Sequence, residues 1–212
     1  MLLRRAHSFL LVLLALGLAL LGTSGSATAA PVLLVLGDSV SAGYGLAANT
    51  GWVTLLSQRL KAEGYSYDVV NASISGDTTA GGKARLPSYL SKNQPAIVII
   101  ELGGNDALRG GNLAATRANL DAMVAAALDA KAKVLIVGMQ VPPNYGPAYA
   151  REFNALFADI AKTRRVPVVP ALFAGFGDDM AMFQPDRIHP TVDAQVKLLD
   201  NVWPALRPLL RK

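Results

Sequence analysis

Apolar residues along the chain follow two patterns. Short runs rich in Val, Ile and Leu, bounded by turn-forming residues, occupy Val32 to Leu36, Ala96 to Leu102 and Lys133 to Gly138; such runs mark strands covered on both faces. Tyr67 to Asn71 is a shorter strand candidate, and Val166 to Val169 a weaker one whose Pro167 places it at a sheet edge. Between the runs, apolar positions recur at helical spacing. Trp52, Leu55, Leu56 and Leu60 form one face in a helix over 51–63 that stops at Gly64. Leu120, Met123, Val124, Ala127 and Leu128 form a second, and Phe153, Leu156, Phe157 and Ile160 a third. Leu198, Leu199, Val202, Trp203 and Leu206 form a fourth, which Pro204 is expected to kink or cut short. Strands alternating with helices predict an α/β fold, a doubly wound parallel sheet of about five strands. No repeat or linker interrupts residues 30–212, which read as a single domain.

The first 29 residues follow neither pattern. Arg4 and Arg5 precede an apolar stretch from Phe9 to Leu21, and Ala27-Thr28-Ala29 is a small-residue cleavage site, so residues 1–29 read as a signal peptide cleaved after Ala29. An uncleaved anchor is the alternative. Export to the periplasm or beyond is expected, with no stable membrane insertion once the leader is removed. Arg4 and Arg5 leave with it, so the formal charge drops from +5 to +3, too mild and scattered to indicate nucleic acid. The chain has no Cys, so one apolar core rather than disulfides must hold it. Of two histidines, His7 lies in the leader, leaving His189 as the only imidazole of the mature chain. One His, no Cys and scattered acids make no metal site.

Three polar segments follow the candidate strands: Gly37-Asp38-Ser39, then Ser73-Ile74-Ser75-Gly76-Asp77, then Gly103-Gly104-Asn105-Asp106. In a parallel sheet all three open on the carboxyl edge, where such sheets bind ligands. Taken alone, Ser39 reads as readily as a helix N-cap, and Asn105 as a residue bonding its own backbone. Asp186-Arg187-Ile188-His189 adds a carboxylate within reach of the sole imidazole, although an isolated Asp-x-x-His also suits a turn cap. Together the residues meet the needs of acyl transfer. Ser39 is the nucleophile, His189 the general base and then acid, and Asp186 its orienter, with the Ser39 N–H, the Gly76 N–H and the Asn105 amide as oxyanion donors. No serine occupies a G-x-S-x-G elbow.

These four blocks, in this order, resemble those of the SGNH hydrolases, or GDSL esterases. Val35 to Tyr44, Glu101 to Gly110 and Pro143-Asn144-Tyr145-Gly146 are most similar to the exported bacterial arylesterases and the multifunctional acyl-CoA thioesterase/lysophospholipase group. The resemblance implies a flavodoxin-like three-layer α/β/α sandwich and hydrolysis of small ester or thioester substrates through an acyl-serine, without a cofactor; a monomer is expected. Arg187 departs from the group, where a small residue is common, and is expected to alter the rim of the site. The roles of Asp38 and Glu101 beyond loop organisation are open.

Substrate contacts are expected from Pro142, Pro143, Asn144 and Tyr145, in a segment that helps set acyl-chain preference in the resembling group, and from Phe183, within an apolar cluster of Phe173, Phe176, Met180 and Met182. That cluster serves equally well as satellite core. Stiffening by Pro142 and Pro147 points to short or medium acyl or aryl esters. Rival readings are a carbohydrate O-acetylesterase on the same scaffold and a non-catalytic acyl- or lipid-binding periplasmic protein.

Overall fold

The computed structural model describes residues 29–141 and 145–212. Residues 1–28, within the segment expected to be a signal peptide, and Pro142, Pro143 and Asn144 lie outside the described residues.

Five strands, β1 (Val32–Gly37), β2 (Asp68–Asn71), β3 (Ile97–Glu101), β4 (Lys133–Val137) and β5 (Val168–Val169), form one sheet in the order β2-β1-β3-β4-β5. Every neighbouring pair is parallel. Side chains of β1 and β3 are buried on both faces, as their uninterrupted apolar runs require. The helices are α1 (Ser39–Ala42), α2 (Trp52–Ala62), α3 (Thr79–Asn93), α4 (Gly104–Leu108), α5 (Leu113–Asp129), α6 (Pro147–Arg164) and α7 (Gln195–Leu206). Helix α2 packs with α7, while α3, α5 and α6 pack in sequence with one another, giving a helical layer on each side of the sheet. The chain leaves β1 toward β2 and returns past β1 to β3, so the β1/β3 boundary is the switch point where ligands are bound in open α/β sheets.

Several details differ from the sequence reading. Helix α3 was not anticipated: its buried face consists of Thr79, Gly82, Leu86 and Leu90, and Gly81, Gly82 and Pro87 lower its helix propensity. The polar segments after β1 and β3 are not loops but the short helices α1 and α4. Pro147 opens α6, the position where its missing N–H costs nothing, so Pro147 to Tyr149 belong to a helix rather than to a stiffened loop. Helix α7 continues two residues beyond Pro204 before tightening into a 3-10 turn over Arg207–Leu209. β5 is only two residues long, after Pro167, and lies at the sheet edge as expected. No helix among the described residues is long and apolar enough to cross a membrane.

Candidate active site

β1 delivers its chain directly into α1, and the residue that caps α1 is Asp38. Its Oδ1 accepts from the Val40 N–H at 3.0 Å. The capping role considered for Ser39 is therefore filled by its neighbour, which leaves the serine hydroxyl free for other work. Ser39 is 8% exposed, and its Oγ lies 2.8 Å from His189 Nε2. Opposite, His189 Nδ1 lies 2.6 Å from Asp186 Oδ2.

The loop that brings these two residues together is braced. Phe183 and Pro190 form an antiparallel bridge, the Gln184 N–H donates to the His189 carbonyl at 2.7 Å, and the Thr191 N–H donates to the Met182 carbonyl at 2.8 Å. At its tip Asp186 Oδ1 accepts from the Ile188 and His189 N–H groups at 2.9 and 3.0 Å. The fold-back requires Arg187 at φ 61°, in the left-handed region. A side chain costs energy at positive φ, so Arg187 carries backbone strain that a glycine would not. The His189 N–H, then the imidazole and the Ile188 N–H, hold the Asp186 carboxyl down to about 2, so it is a carboxylate wherever the imidazole can work.

Gly76 and Asn105 flank Ser39 from the ends of β2 and β3. Gly76 adopts φ 79°, and neither its N–H nor that of Ser39 donates to a protein acceptor among the described residues. Three contacts fix the Gly76 turn: Arg109 Nη2 donates to the Gly76 carbonyl at 2.9 Å, Arg85 Nε pairs with Asp77 at 2.7 Å, and Asp106 accepts from the Thr79 N–H and hydroxyl. Arg85 also donates to the carbonyls of Ala72 and Gly37, tying the end of β2 to the end of β1. Asn105 does not bond its own backbone; its Nδ2 donates to Asp38 Oδ2 at 3.0 Å, leaving a second amide hydrogen available. The structure links Ser39, His189 and Asp186 directly and Asn105 through Asp38, while the Gly76 turn is joined to the end of β1 by the Ile74 N–H donating to the Gly37 carbonyl at 3.1 Å. A serine hydroxyl shares a hydrogen bond with an imidazole, which in turn bonds a carboxylate, and two free backbone N–H groups and an amide lie nearby. Such a group can pass a proton from oxygen to nitrogen and hold an oxyanion.

A buried carboxyl pair supports this turn from beneath. Glu101, at the end of β3, is fully buried; its Oε2 accepts from the Ser41 hydroxyl at 2.6 Å and from the Asp38 N–H at 3.4 Å. Ser41 in turn accepts from Trp52 Nε1 at 3.2 Å. Glu101 Oε1 has no partner among the described residues. Desolvation, with the nearby Asp38 charge adding to it, pushes the Glu101 carboxyl well above the usual range. Desolvation also pushes Asp38 up to about 6, against the pull of the Val40 N–H, His189 and Asn105. The sequence did not assign these roles, and a single Glu at the end of a strand offers no signal of what lies across it.

A carboxyl whose folded value is raised binds its proton more tightly in the native state than in the unfolded one. Its effect is therefore a loss of stability as pH rises from 3.8 to about 6, complete above that range. Asp186 has the opposite sign, since its contribution is present above 3.8 and is lost as pH falls through about 2. Denaturant melts at pH 4 and pH 7 should show wild type losing stability relative to Asp38→Asn as pH rises. An unchanged difference between the two proteins would contradict the burial cost.

The expected substrate contacts are only partly described. Tyr145 is partly exposed just before α6, and Phe183 packs edge-on to Phe173 with centroids 5.5 Å apart and lies 6.0 Å from Phe176. Phe173, Phe176, Met182 and Phe183 pack with the core while Met180 is exposed, and Phe183 also lines a groove of about 390 Å³ with Leu46, Thr50, Gln184 and Val192, beside the histidine loop. Among the described residues no group of three His, Cys, Asp or Glu side chains could hold a metal ion.

Residues 35–196 match the GDSL-like Lipase/Acylhydrolase family. Esterase TesA of Pseudomonas aeruginosa is 53% identical over 182 residues, which cover 86% of this chain and 90% of that protein. The thioesterase 1/protease 1/lysophospholipase L1 of Escherichia coli strain K12 is 40% identical over 184 residues, 87% of each chain. A crystal structure of TesA superposes with a TM-score of 0.83 at 52% identity, covering 84% of this chain and 99% of that one. With the four sequence blocks gathered at one sheet edge and a family match spanning most of its length, this chain belongs to the GDSL-like lipase/acylhydrolase family, the SGNH hydrolases.

Proposed function

We infer that this protein is a carboxylic ester hydrolase that cleaves acyl esters and thioesters through an acyl-serine. The observation that carries the reading is the unbroken line from Ser39 Oγ to His189 Nε2 and from His189 Nδ1 to Asp186. In this reading Ser39 Oγ attacks the acyl carbon while His189 Nε2 accepts its proton. The carbonyl oxygen becomes an oxyanion facing the Ser39 and Gly76 N–H groups and the Asn105 amide. Collapse expels the alcohol or thiol, which takes the proton from His189. Water then attacks the acyl-serine by the same route, giving the carboxylic acid and restoring Ser39.

The names of the relatives, an esterase and a thioesterase/lysophospholipase, support this range of leaving groups. Short or medium acyl and aryl esters are proposed as the favoured substrates on the sequence expectation from Pro142 alone, since Pro147 belongs to α6. A binding protein needs no base beside a hydroxyl, which weighs against the non-catalytic acyl- or lipid-binding alternative. The reading needs no second copy of the chain, since the line from Ser39 to Asp186 is complete within one; that the protein acts as a monomer is part of the proposal. The basic pair, apolar stretch and Ala-x-Ala site of residues 1–29 support export, and the modest charge after cleavage supports a partner other than nucleic acid.

A fluorophosphonate probe should label wild type at Ser39, and a series of p-nitrophenyl esters should peak at short or medium acyl length. Absence of labelling would remove the enzyme reading; a long-chain optimum would overturn the substrate preference alone.

A further inference from the structure

Asp186 alone does not hold the candidate base in place. One hydrogen bond at Nδ1 fixes a point on the imidazole but leaves the ring free to tilt about the Nδ1 to Oδ2 line, and tilting moves Nε2 away from Ser39. A second contact is needed on the face of the ring. Tyr44 makes it: the two ring centroids are 4.5 Å apart, with an interplanar angle of 39°.

Tyr44 is itself held from both sides. Its N–H donates to the Ser39 carbonyl at 3.0 Å, one turn beyond the serine. Its carbonyl accepts from Gln184 Nε2 at 2.8 Å, and the same amide nitrogen donates to the Pro190 carbonyl at 3.1 Å. The backbone of Tyr44 is thereby linked to the nucleophile segment at one end and to the histidine loop at the other. Yet the residue is 52% exposed, among the most exposed large apolar or aromatic residues described. Core packing does not explain an aromatic ring kept in solvent with one face covered by an imidazole.

We propose that Tyr44 is a positioning residue for His189, its ring face keeping the imidazole in the plane that aims Nε2 at Ser39. The inference rests on the reading of His189 as the base. An aromatic face also attracts a cation, so the contact strengthens as His189 takes up the serine proton and becomes imidazolium. Stabilisation of this kind grows toward the transition state, so it acts on kcat rather than on substrate affinity.

The test uses Tyr44→Ala and Tyr44→Phe in the purified enzyme, with methyl and p-nitrophenyl esters of one acid. Tyr44→Ala should lower kcat by about 10- to 100-fold on both esters, the scale expected of a misplaced catalytic group. KM should change little, and Tyr44→Phe should restore the rate. The low-field proton resonance of His189 Nδ1–H should persist in Tyr44→Phe and broaden or vanish in Tyr44→Ala, a signature that a merely structural loss would not give while the fold is intact. Should Tyr44→Ala melt below the assay temperature, Tyr44→Leu keeps the apolar bulk without the aromatic face and is expected to be slow in the same way. Wild-type kcat in the folded Ala or Leu variant overturns the proposal. Loss confined to the aryl ester also overturns it, since Tyr44 would then be a leaving-group contact. A Phe variant as slow as Ala overturns it as well. His189→Ala, measured alongside, separates the cases: near-wild-type turnover there would sink the reading of the base itself, whatever Tyr44 does.

Discussion

Ser39→Ala is expected to lower kcat by about 10⁴-fold or more and to abolish fluorophosphonate labelling, with little change in Tm. The activity loss follows because no other hydroxyl is bonded to His189 Nε2. Stability should be nearly unaffected because Ser39 does not cap α1; Asp38 does, through the Val40 N–H. His189→Ala should cost a similar factor, and the double variant should be no slower than either single one, because the two groups act as a unit. Multiplicative losses would mean that serine and histidine act independently, contrary to their 2.8 Å contact. Retention of more than about a tenth of wild-type kcat by Ser39→Ala would remove the nucleophile assignment, given the scale of such losses in serine hydrolases.

Gly37→Val should destabilise the protein by about 3 kcal/mol or more, combining an overpacked core with a broken buried hydrogen-bond network. A Cβ at Gly37 would stand 2.7 Å from Ser41 Cβ, 2.8 Å from Ser41 Oγ and 2.8 Å from Glu101 Oε2. All three atoms are buried, and Ser41 and Glu101 are bonded to each other. Neither side chain can withdraw without leaving the Trp52 indole N–H or the Glu101 carboxyl unsatisfied. The Gly37 carbonyl also accepts from Arg85, so a shifted backbone would loosen the clamp to Asp77 beside Gly76. Loss of stability and loss of turnover should therefore appear together, unlike in Ser39→Ala. Denaturant unfolding with a parallel esterase assay checks this; a Gly37→Val protein of wild-type stability would mean that the Glu101 network yields without cost.

The strands were legible because β1, β3 and β4 are buried on both faces and need uninterrupted apolar runs, a pattern few other elements produce. Helix α3 was not, because Thr79 and Gly82 make up half of its buried face; Gly82 lies so close to Leu102 that an added Cβ would stand 2.3 Å from Leu102 Cδ1. Contact made by the absence of a side chain leaves no hydrophobic period to find. The five site residues were legible for a different reason. A single histidine outside residues 1–29, with an Asp three residues before it, limits the choice of base, and the strand ends supply the rest. Asp38, Glu101, Ser41 and Tyr44 were not, because their roles depend on contacts between residues as far apart in the chain as Tyr44 and His189. The pairing of Tyr44 with His189 arises only when the loop after α1 meets the loop before α7.

The short outer strands have a consequence for the molecule outside its active site. β2 offers four residues bounded by Asp68 and Asn71, and β5 only two, with Pro167 ahead of them. Neither edge gives another chain a long template of free N–H and C=O groups, and the proline removes one donor outright. A protein without disulfides is thus protected from edge-to-edge aggregation by the brevity of its margins rather than by covalent reinforcement.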